Sequence, residues 1–206
     1  MKKFGFFGGS FNPPTYAHLK IAKESIEKFN LDKVFFVPVG NLYNKPELID
    51  EKYRYEMLKI ISKNENNIEV EDIELNKEKT ISAIQAFFMI ENKYKKFYNH
   101  EIETYYIMGA DNFINILNWK DSKQLIENYK YIIFERDNID IEEYINENKL
   151  LNKNKSNFNI LKLNENNYIN SSSIRENIKK EKYKENVKYT KEEIIKYIKE
   201  NKLYKK

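Results

Sequence analysis

The sequence predicts an α/β fold in which helices cover a mostly parallel sheet. Three observations indicate this class. Short runs rich in β-branched and aromatic residues alternate along the chain with longer stretches of helical character. Those longer stretches are the right size for the crossover helices that connect parallel strands. With 206 residues, of which 41% are hydrophobic, the chain has the size of one domain with a substantial core.

Six strands are predicted, each a short apolar or aromatic run such as KKFGFF at the start of the chain. They cover residues 2–7, 32–39, 67–75, 104–109, 129–135 and 158–163. Alternating strands and helices of this kind indicate a Rossmann-like, doubly wound parallel sheet. Ligands of such sheets bind beyond the carboxyl ends of the strands, where the strand order reverses. Unusual residues directly after a strand are therefore candidate site residues.

Helices are predicted between the strands and after the last of them. The five between the strands cover about 16–29, 50–63, 80–96, 111–127 and 139–150. Two more close the chain, one at 171–182 with capping serines and one at 190–203. The last opens with a capping box of Thr190 and Glu193 and carries an apolar stripe. No linker or repeat interrupts the chain, so one domain over 1–206 is predicted, with a C-terminal helical subregion from about 165.

The composition excludes several classes of function. The chain has no cysteine, which rules out disulfides, thiolate catalysis and cysteine-based metal sites. Its net charge of +4 is smaller than nucleic-acid binders usually carry. No apolar run approaches the roughly 18–20 residues that span a bilayer. The N-terminus also lacks a secretory leader, because MKKFGFF passes directly into Gly-Gly-Ser. We therefore expect a cytoplasmic protein without nucleic-acid or membrane partners.

Scarce residues gather directly after the first strand. The stretch GGSFNPPTYAHL contains two of the five glycines, two of the four prolines and one of the two histidines. Glycines let the backbone turn and approach a ligand, and Thr15 is a good N-cap for the helix that follows. His18 then lies in the first helical turn, where N–H groups and the helix dipole favour anions. The stretch is either a phosphate cradle or a structural turn, and the common G-x-x-x-x-G-K-[ST] and G-x-G-x-x-G phosphate motifs are absent.

The same stretch resembles the signature G-[ST]-F-[DN]-P-x-[HT]-x-x-H of a nucleotidyltransferase superfamily, over Gly9 to His18. Thr15 stands in place of the first histidine of the usual H-x-G-H, and Ala17 in place of its glycine. Threonine at that position, like Asn12, also occurs in the nicotinamide mononucleotide branch of the superfamily. The resemblance favours the phosphate cradle over the structural turn.

Five further segments resemble nicotinate-nucleotide adenylyltransferases, in order and at family-like spacing. They are VPVGNLYNKPELIDEKYRYEML (37–58), EDIELNKEKTISAI (71–84), MGADNFINILNWKD (108–121), INSSSIREN (169–177) and KYIKENKLY (196–204). One departure is Asn170, where the family often has serine. Because Ser171 and Ser172 still offer hydroxyl groups, phosphate binding at this helix start is still expected.

The resemblance implies transfer of AMP from ATP to nicotinate mononucleotide, with release of pyrophosphate. His18, Thr15 and Arg175 are the implied catalytic residues. The implied ATP site consists of Gly8, Gly9, Ser10, Phe11, His18, Lys45, Gly109, Asp111, Ser171, Ser172 and Arg175. Thr80 and Trp119 are implied to contact the mononucleotide. Mg²⁺ is expected to arrive with ATP, held mainly by phosphates and water, so no dedicated metal ligands are predicted.

Several alternatives remain open at the level of sequence. The acceptor could be nicotinamide mononucleotide or another phosphorylated compound such as pantetheine phosphate. Trp119 could belong to the core, Asp111 could be only an N-cap, Arg175 could pair with a surface carboxylate, and the role of Lys45 is open. An RNA-binding or scaffolding protein is a further interpretation, but it predicts basic residues interleaved with aromatics on one face. No oligomeric state is predicted, and His100 is given no role.

Overall fold

A six-stranded sheet lies at the centre of the computed structural model, which describes residues 1–43, 45–99, 101–135, 139–163 and 171–205. All strand pairings are parallel, and the strand order is β3-β2-β1-β4-β5-β6. The strands are β1 Lys2–Gly9, β2 Lys33–Pro38, β3 Ile68–Val70, β4 Ile102–Gly109, β5 Lys130–Phe134 and β6 Phe158–Leu161. The order reverses between β1 and β4, which confirms the predicted doubly wound, Rossmann-like sheet.

Nine α-helices accompany the sheet in the described part of the chain. They are α1 Tyr16–Phe29, α2 Glu51–Ser62, α3 Ala83–Tyr98, α4 Ala110–Phe113, α5 Ser122–Asn128, α6 Ile141–Glu147, α7 Lys149–Lys153, α8 Ser171–Lys179 and α9 Glu192–Glu200. Three short 3-10 helices lie at Ile116–Asn118, Lys155–Asn157 and Tyr183–Asn186. Within the described residues, none of these helices has the length and apolar character needed to cross a bilayer.

The two faces of the sheet bury different side chains because successive residues of a strand point to opposite sides. On β1, Phe7 packs in a cluster with apolar residues of α1, α2, α8 and α9. Phe4 and Phe6 point to the other face, where Ile90 of α3 covers them. A further cluster around Tyr131 fills the space between β4, β5 and helices α4 to α7. The helices after β6 thus share the core of β1 and β2.

The predicted helix at 111–127 is wrong as a single element. The chain instead forms α4, a 3-10 helix and α5, with Trp119 extended and Asp121 in the left-handed region at a φ of 58°. Asp tolerates this conformation better than most residues, which allows the helix to break there.

The predicted helix at 139–150 is likewise two helices. Asn148 divides them, because its side chain accepts hydrogen bonds from the N–H groups of Leu150 and Leu151 and caps α7.

The predicted capping box of Thr190 and Glu193 is also wrong. The Thr190 hydroxyl is fully buried and donates instead to the Pro14 carbonyl at 2.9 Å, so α9 begins two residues later. The strand predicted at 67–75 is limited to Ile68–Val70, and the chain then leaves the sheet edge. His100 and Asn170 lie outside the described residues.

Candidate active site

A cleft of about 690 Å³ opens at the carboxyl ends of β1 and β4, where the strand order reverses. This is the place at which a doubly wound sheet binds its ligand. Most of the predicted site residues line it: Gly8, Gly9, Ser10, Phe11, His18, Lys45, Gly109, Asp111, Trp119, Ser171, Ser172 and Arg175. Thr15 and Thr80 are not among its lining residues. Segments far apart in sequence therefore meet at one cleft.

The loop after β1 brings bare main chain to the floor of this cleft. Gly8 has no room for a side chain, because a Cβ atom there would overlap the Tyr106 hydroxyl. Phe11 turns the chain with a φ of 46° and packs its ring against Phe7 and His18. No hydrogen bond within the described residues occupies the backbone N–H of Ser10 or Phe11. These two groups are available to an anion in the cleft.

The guanidinium group of Arg54 holds this loop from behind. It is fully buried, and it donates to the carbonyls of Ser10 at 3.1 Å, Val39 at 2.6 Å and Ile49 at 2.9 Å. Burial lowers its pKa, and the nearby Glu51 carboxylate opposes that shift. Arg54 thus ties the β1 loop to the end of β2 and to the start of α2. Arg54 begins the R-x-x-M motif in the segment 37–58, which resembles nicotinate-nucleotide adenylyltransferases. Nothing in the sequence, however, indicated that its side chain binds three carbonyl groups.

His18 uses one ring nitrogen for structure. Nδ1 lies 3.0 Å from the backbone nitrogen of Thr15 and 2.9 Å from the Thr15 hydroxyl. A backbone N–H can only donate, so Nδ1 accepts, and the proton of the neutral ring is on Nε2. The ring itself lines the cleft. Thr15 caps α1 as predicted, but at 1% exposure it supports His18 from within the protein.

The start of α1 offers fewer free donors than expected. The Tyr16 N–H donates to the Tyr189 carbonyl at 2.8 Å, and the His18 N–H bonds to the Thr15 hydroxyl in a capping box. The first turn is thus largely satisfied within the protein. An anion bound here would meet the His18 ring and the β1 loop more readily than the helix N–H groups.

The start of α8 closes on the β1 loop from the opposite side. The Ser171 hydroxyl donates to the Pro13 carbonyl at 2.7 Å, and Arg175 donates to the Asn12 carbonyl at 3.0 Å. Arg175 also bonds to the Ser172 hydroxyl at 3.1 Å. These contacts join two segments more than 150 residues apart. They occupy the donor of the Ser171 hydroxyl, while Ser172 and Arg175 line the cleft.

The loop before α2 adds a second cation, Lys45, to the side of the cleft that carries Arg175. The Lys45 ammonium donates to the Ser10 hydroxyl at 3.1 Å. Glu47 pairs its carboxylate with Arg175 and Lys179, and these two cations hold its pKa below the usual range. The alternative that Arg175 pairs with a surface carboxylate is therefore correct in part, because Glu47 is such a partner. The same arginine nevertheless lines the cleft, at 15% side-chain exposure.

The end of β4 supplies the other wall. Gly109 is the N-cap of α4, and a Cβ atom there would overlap the Asp111 carboxylate. Asp111 lies in the first turn and is exposed, so the alternative that it serves as the N-cap is wrong. Trp119 is half-buried at the edge of the cluster around Tyr131, with part of its ring on the cleft. Trp119 thus packs against the core and also borders the cleft, and its contact with the mononucleotide stays a prediction.

Thr80 lines a smaller pocket that adjoins the cleft. The two share Tyr43, Glu74 and Ile81 in their walls. The residues after Thr80 reach the cleft itself through Ile81, Ser82 and Ala83.

Asn12 is a site residue that sequence reasoning left without a role. Its amide nitrogen donates to the Glu47 carbonyl at 2.9 Å, and its Oδ1 accepts from the Tyr204 hydroxyl at 2.9 Å. It therefore fastens the β1 loop to the loop before α2 and to the C-terminal segment. Its place inside the G-[ST]-F-[DN]-P signature was the available signal.

The chain is similar to a large set of known proteins. Residues 6–177 match the model of the cytidylyltransferase-like family. A probable nicotinate-nucleotide adenylyltransferase of Acholeplasma laidlawii is 34% identical over 199 residues, which is 96% of this chain and 95% of the relative. A relative of the same name from Clostridium botulinum is 32% identical over 100% of this chain and 99% of its own length.

Solved structures show the same fold. The nicotinic acid mononucleotide adenylyltransferase of Plasmodium falciparum, in a complex with NaAD, aligns with a TM-score of 0.78 and 23% identity. The alignment covers 99% of this chain and 98% of that protein. From the family match and the two relatives above 30% identity, the chain belongs to the cytidylyltransferase-like family and, within it, to the nicotinate-nucleotide adenylyltransferases.

Proposed function

We propose that this protein transfers the adenylyl group of ATP to nicotinate mononucleotide, a reaction of NAD biosynthesis. A phosphate oxygen of the mononucleotide attacks the α-phosphorus of ATP. A new P–O–P bond forms, the bond between the α- and β-phosphates breaks, and pyrophosphate leaves. The observation that carries this proposal is the contact between the β1 loop and the start of α8, because hydrogen-bond donors of both segments then line one cleft.

The attacking phosphate is already anionic at neutral pH, so the reaction needs no general base. Catalysis then depends on orientation and on stabilising the charge that builds on the α-phosphate. His18 suits this task, because its Nδ1 is held by Thr15 and its Nε2 carries the proton of the neutral ring. The N–H groups of Ser10 and Phe11 are further donors for the same phosphate.

The leaving pyrophosphate fits the cationic side of the cleft. Arg175, with the Ser172 hydroxyl, would bind the β- and γ-phosphates. The Ser171 hydroxyl, which donates to Pro13, would hold the start of α8 against the β1 loop. The Lys45 ammonium, held by Ser10, supplies another positive charge. The opposite wall serves the rest of the substrates: the exposed Asp111 carboxylate can accept bonds from ribose hydroxyls, and the Trp119 ring can stack on the pyridine ring.

Mg²⁺ would arrive bound to the phosphates of ATP. No group of three or more histidine or acidic side chains in the described residues could hold a metal ion. Phosphate oxygens and water would supply most of its ligands, as is common for Mg²⁺. Bound in this way, Mg²⁺ would neutralise charge on the leaving phosphates.

The sharing of one core by β1, β2, α8 and α9 also supports a single domain over 1–206.

The test is pyrophosphate release from ATP with three acceptors in parallel: nicotinate mononucleotide, nicotinamide mononucleotide and phosphopantetheine. We expect the highest kcat/KM with nicotinate mononucleotide and a dinucleotide product that contains the α-phosphate of ATP. A clear preference for phosphopantetheine, or release without any of the three acceptors, would contradict the assignment.

A further inference from the structure

The carboxylate of Glu47 lies against Arg175, and the mechanism above gives it no task. One of its oxygens, Oε2, is 3.3 Å from both Nε and Nη2 of Arg175. The other oxygen, Oε1, accepts from the Lys179 ammonium. Lys45, Pro46 and Arg175 line the cleft, whereas Glu47 is not among its lining residues. Glu47 therefore contacts the guanidinium from outside the space in which the triphosphate is proposed to bind.

Three acceptors fix the orientation of the Arg175 guanidinium. Nη1 donates to the Asn12 carbonyl at 3.0 Å, Nη2 to the Ser172 hydroxyl at 3.1 Å, and Nε to Glu47 at 3.3 Å. The second N–H of Nη1 forms no hydrogen bond within the described residues, so it is available to a phosphate oxygen. Hydrogen bonds between a planar guanidinium and a phosphate depend on how the guanidinium is oriented.

Glu47 is itself held in place from two sides. Its backbone carbonyl accepts from the Asn12 amide at 2.9 Å. Its carboxylate bonds to Lys179, which follows Arg175 by four residues on α8 and so lies on the same face of that helix. Side-chain exposure is 15% for Arg175, 39% for Lys179 and 48% for Glu47. The Glu47 carboxylate thus lies at the rim of the cleft, between one cation that lines the cleft and one that is more exposed.

By charge alone, Glu47 should weaken the binding of a phosphate. A carboxylate in contact with Arg175 repels the triphosphate and neutralises part of the charge of the arginine. An oriented guanidinium, in contrast, binds more tightly, because less side-chain freedom is lost on binding. Since the two effects have opposite signs, removal of the Glu47 charge distinguishes them.

Building on the proposed function, we propose that Glu47 is a positioning residue for Arg175. Its carboxylate holds Nε and Nη2, so that the free N–H of Nη1 is directed at the β- and γ-phosphates of ATP, which leave as pyrophosphate. Lys179 holds the other carboxylate oxygen and offsets its negative charge. Glu47 touches neither substrate nor product and acts through the arginine.

The test is the dissociation constant of a non-hydrolysable ATP analogue, measured by calorimetry for the wild-type protein, E47Q, R175M and the double variant. Glutamine keeps the side-chain length and the backbone bonds of position 47 but loses the charge. We expect the analogue to bind about fivefold more weakly to E47Q than to the wild-type protein. In the R175M background, E47Q should cause no further weakening, because the residue through which Glu47 acts is gone. In steady-state kinetics, E47Q should raise the KM for ATP and leave the KM for nicotinate mononucleotide unchanged.

The matched control is E176Q, which removes the carboxylate next to Arg175 on α8, at an exposed position outside the cleft. It should bind the analogue as tightly as the wild-type protein does. Unchanged or tighter binding by E47Q would overturn the inference, as would equal weakening by E47Q in both backgrounds. Equal weakening in E176Q would overturn it too, because the effect would then not depend on contact with Arg175. All these results leave the proposed function standing. Its own failure would appear in the wild-type protein, which would then not bind the analogue, and the inference would fall with it.

Discussion

In the proposed mechanism the two ring nitrogens of His18 have separate tasks, and substitution can distinguish them. Alanine removes both the partner of the Thr15 N–H and the donor on the cleft side, whereas asparagine can keep an acceptor near Thr15 without that donor. Because one preorganised donor contributes about a hundredfold to turnover, we expect kcat to fall by at least about a hundredfold in both H18A and H18N. The KM for ATP should change little, and steady-state kinetics of the two variants checks this. Near-normal turnover in H18N would leave His18 with a capping role alone.

Trp119 packs against the core and lines the cleft, and we propose that it also contacts the mononucleotide. In W119A we expect the KM for the mononucleotide to rise more than the KM for ATP, because an aromatic contact contributes on the order of 1 kcal/mol beyond burial. W119F is the control, since it keeps an aromatic ring at the edge of the cleft and should lose less. Equal increases in both KM values for W119A would indicate a structural role.

At the scale of elements, Arg54 joins the β1 loop, the end of β2 and the start of α2 through three carbonyl groups. R54M keeps most of the buried volume but leaves these acceptors without a donor. We expect it to lower the free energy of unfolding by about 3 kcal/mol, measured by urea denaturation. R54K keeps the charge but not the planar fork, so we expect an intermediate loss. An R54M transition at the wild-type urea concentration would contradict this account.

Local sequence signals predicted some elements well and others poorly. The strand at the start of the chain and the helix from Tyr16 to Phe29 were predictable, because apolar runs, turn residues and the Thr15 cap all agree there. The predicted helix at 111–127 failed, since its periodicity gave no sign that Asp121 adopts a left-handed conformation. The capping box predicted at Thr190 was wrong because of a tertiary contact. Its hydroxyl bonds to Pro14, which lies 176 residues away.

At the scale of the whole molecule, the C-terminal segment closes on the start of the chain. The Tyr204 hydroxyl donates to Asn12, whose amide in turn holds the loop that carries Lys45 and Glu47. We expect Y204F to lower the free energy of unfolding by about 1 kcal/mol and to raise the KM for ATP. Thermal unfolding and ATP kinetics check the two effects together. The control is Y197F, because the Tyr197 hydroxyl makes no hydrogen bond within the described residues; equal effects of both variants would contradict a specific role for Tyr204.

Most residues that line the cleft could be predicted from the sequence, but the residues that hold them in place could not. Signature residues such as His18 and Arg175 are recognised by type and spacing, and the topology of a doubly wound sheet brings the ends of β1 and β4 together. The residues that hold them in place, Asn12, Arg54 and Tyr204, act through long-range hydrogen bonds to backbone or amide groups. Periodicity and spacing carry no information about such partners.

The central claim is that the β1 loop and the start of α8 bind one triphosphate from two sides. A crystal structure of the protein with a non-hydrolysable ATP analogue tests it most directly. We predict that the α-phosphate lies within hydrogen-bond distance of His18 and the Ser10–Phe11 backbone, and that the β- and γ-phosphates contact Arg175 and the Ser172 hydroxyl. A triphosphate that touches only one of these two segments, or that binds outside the cleft, would contradict the account.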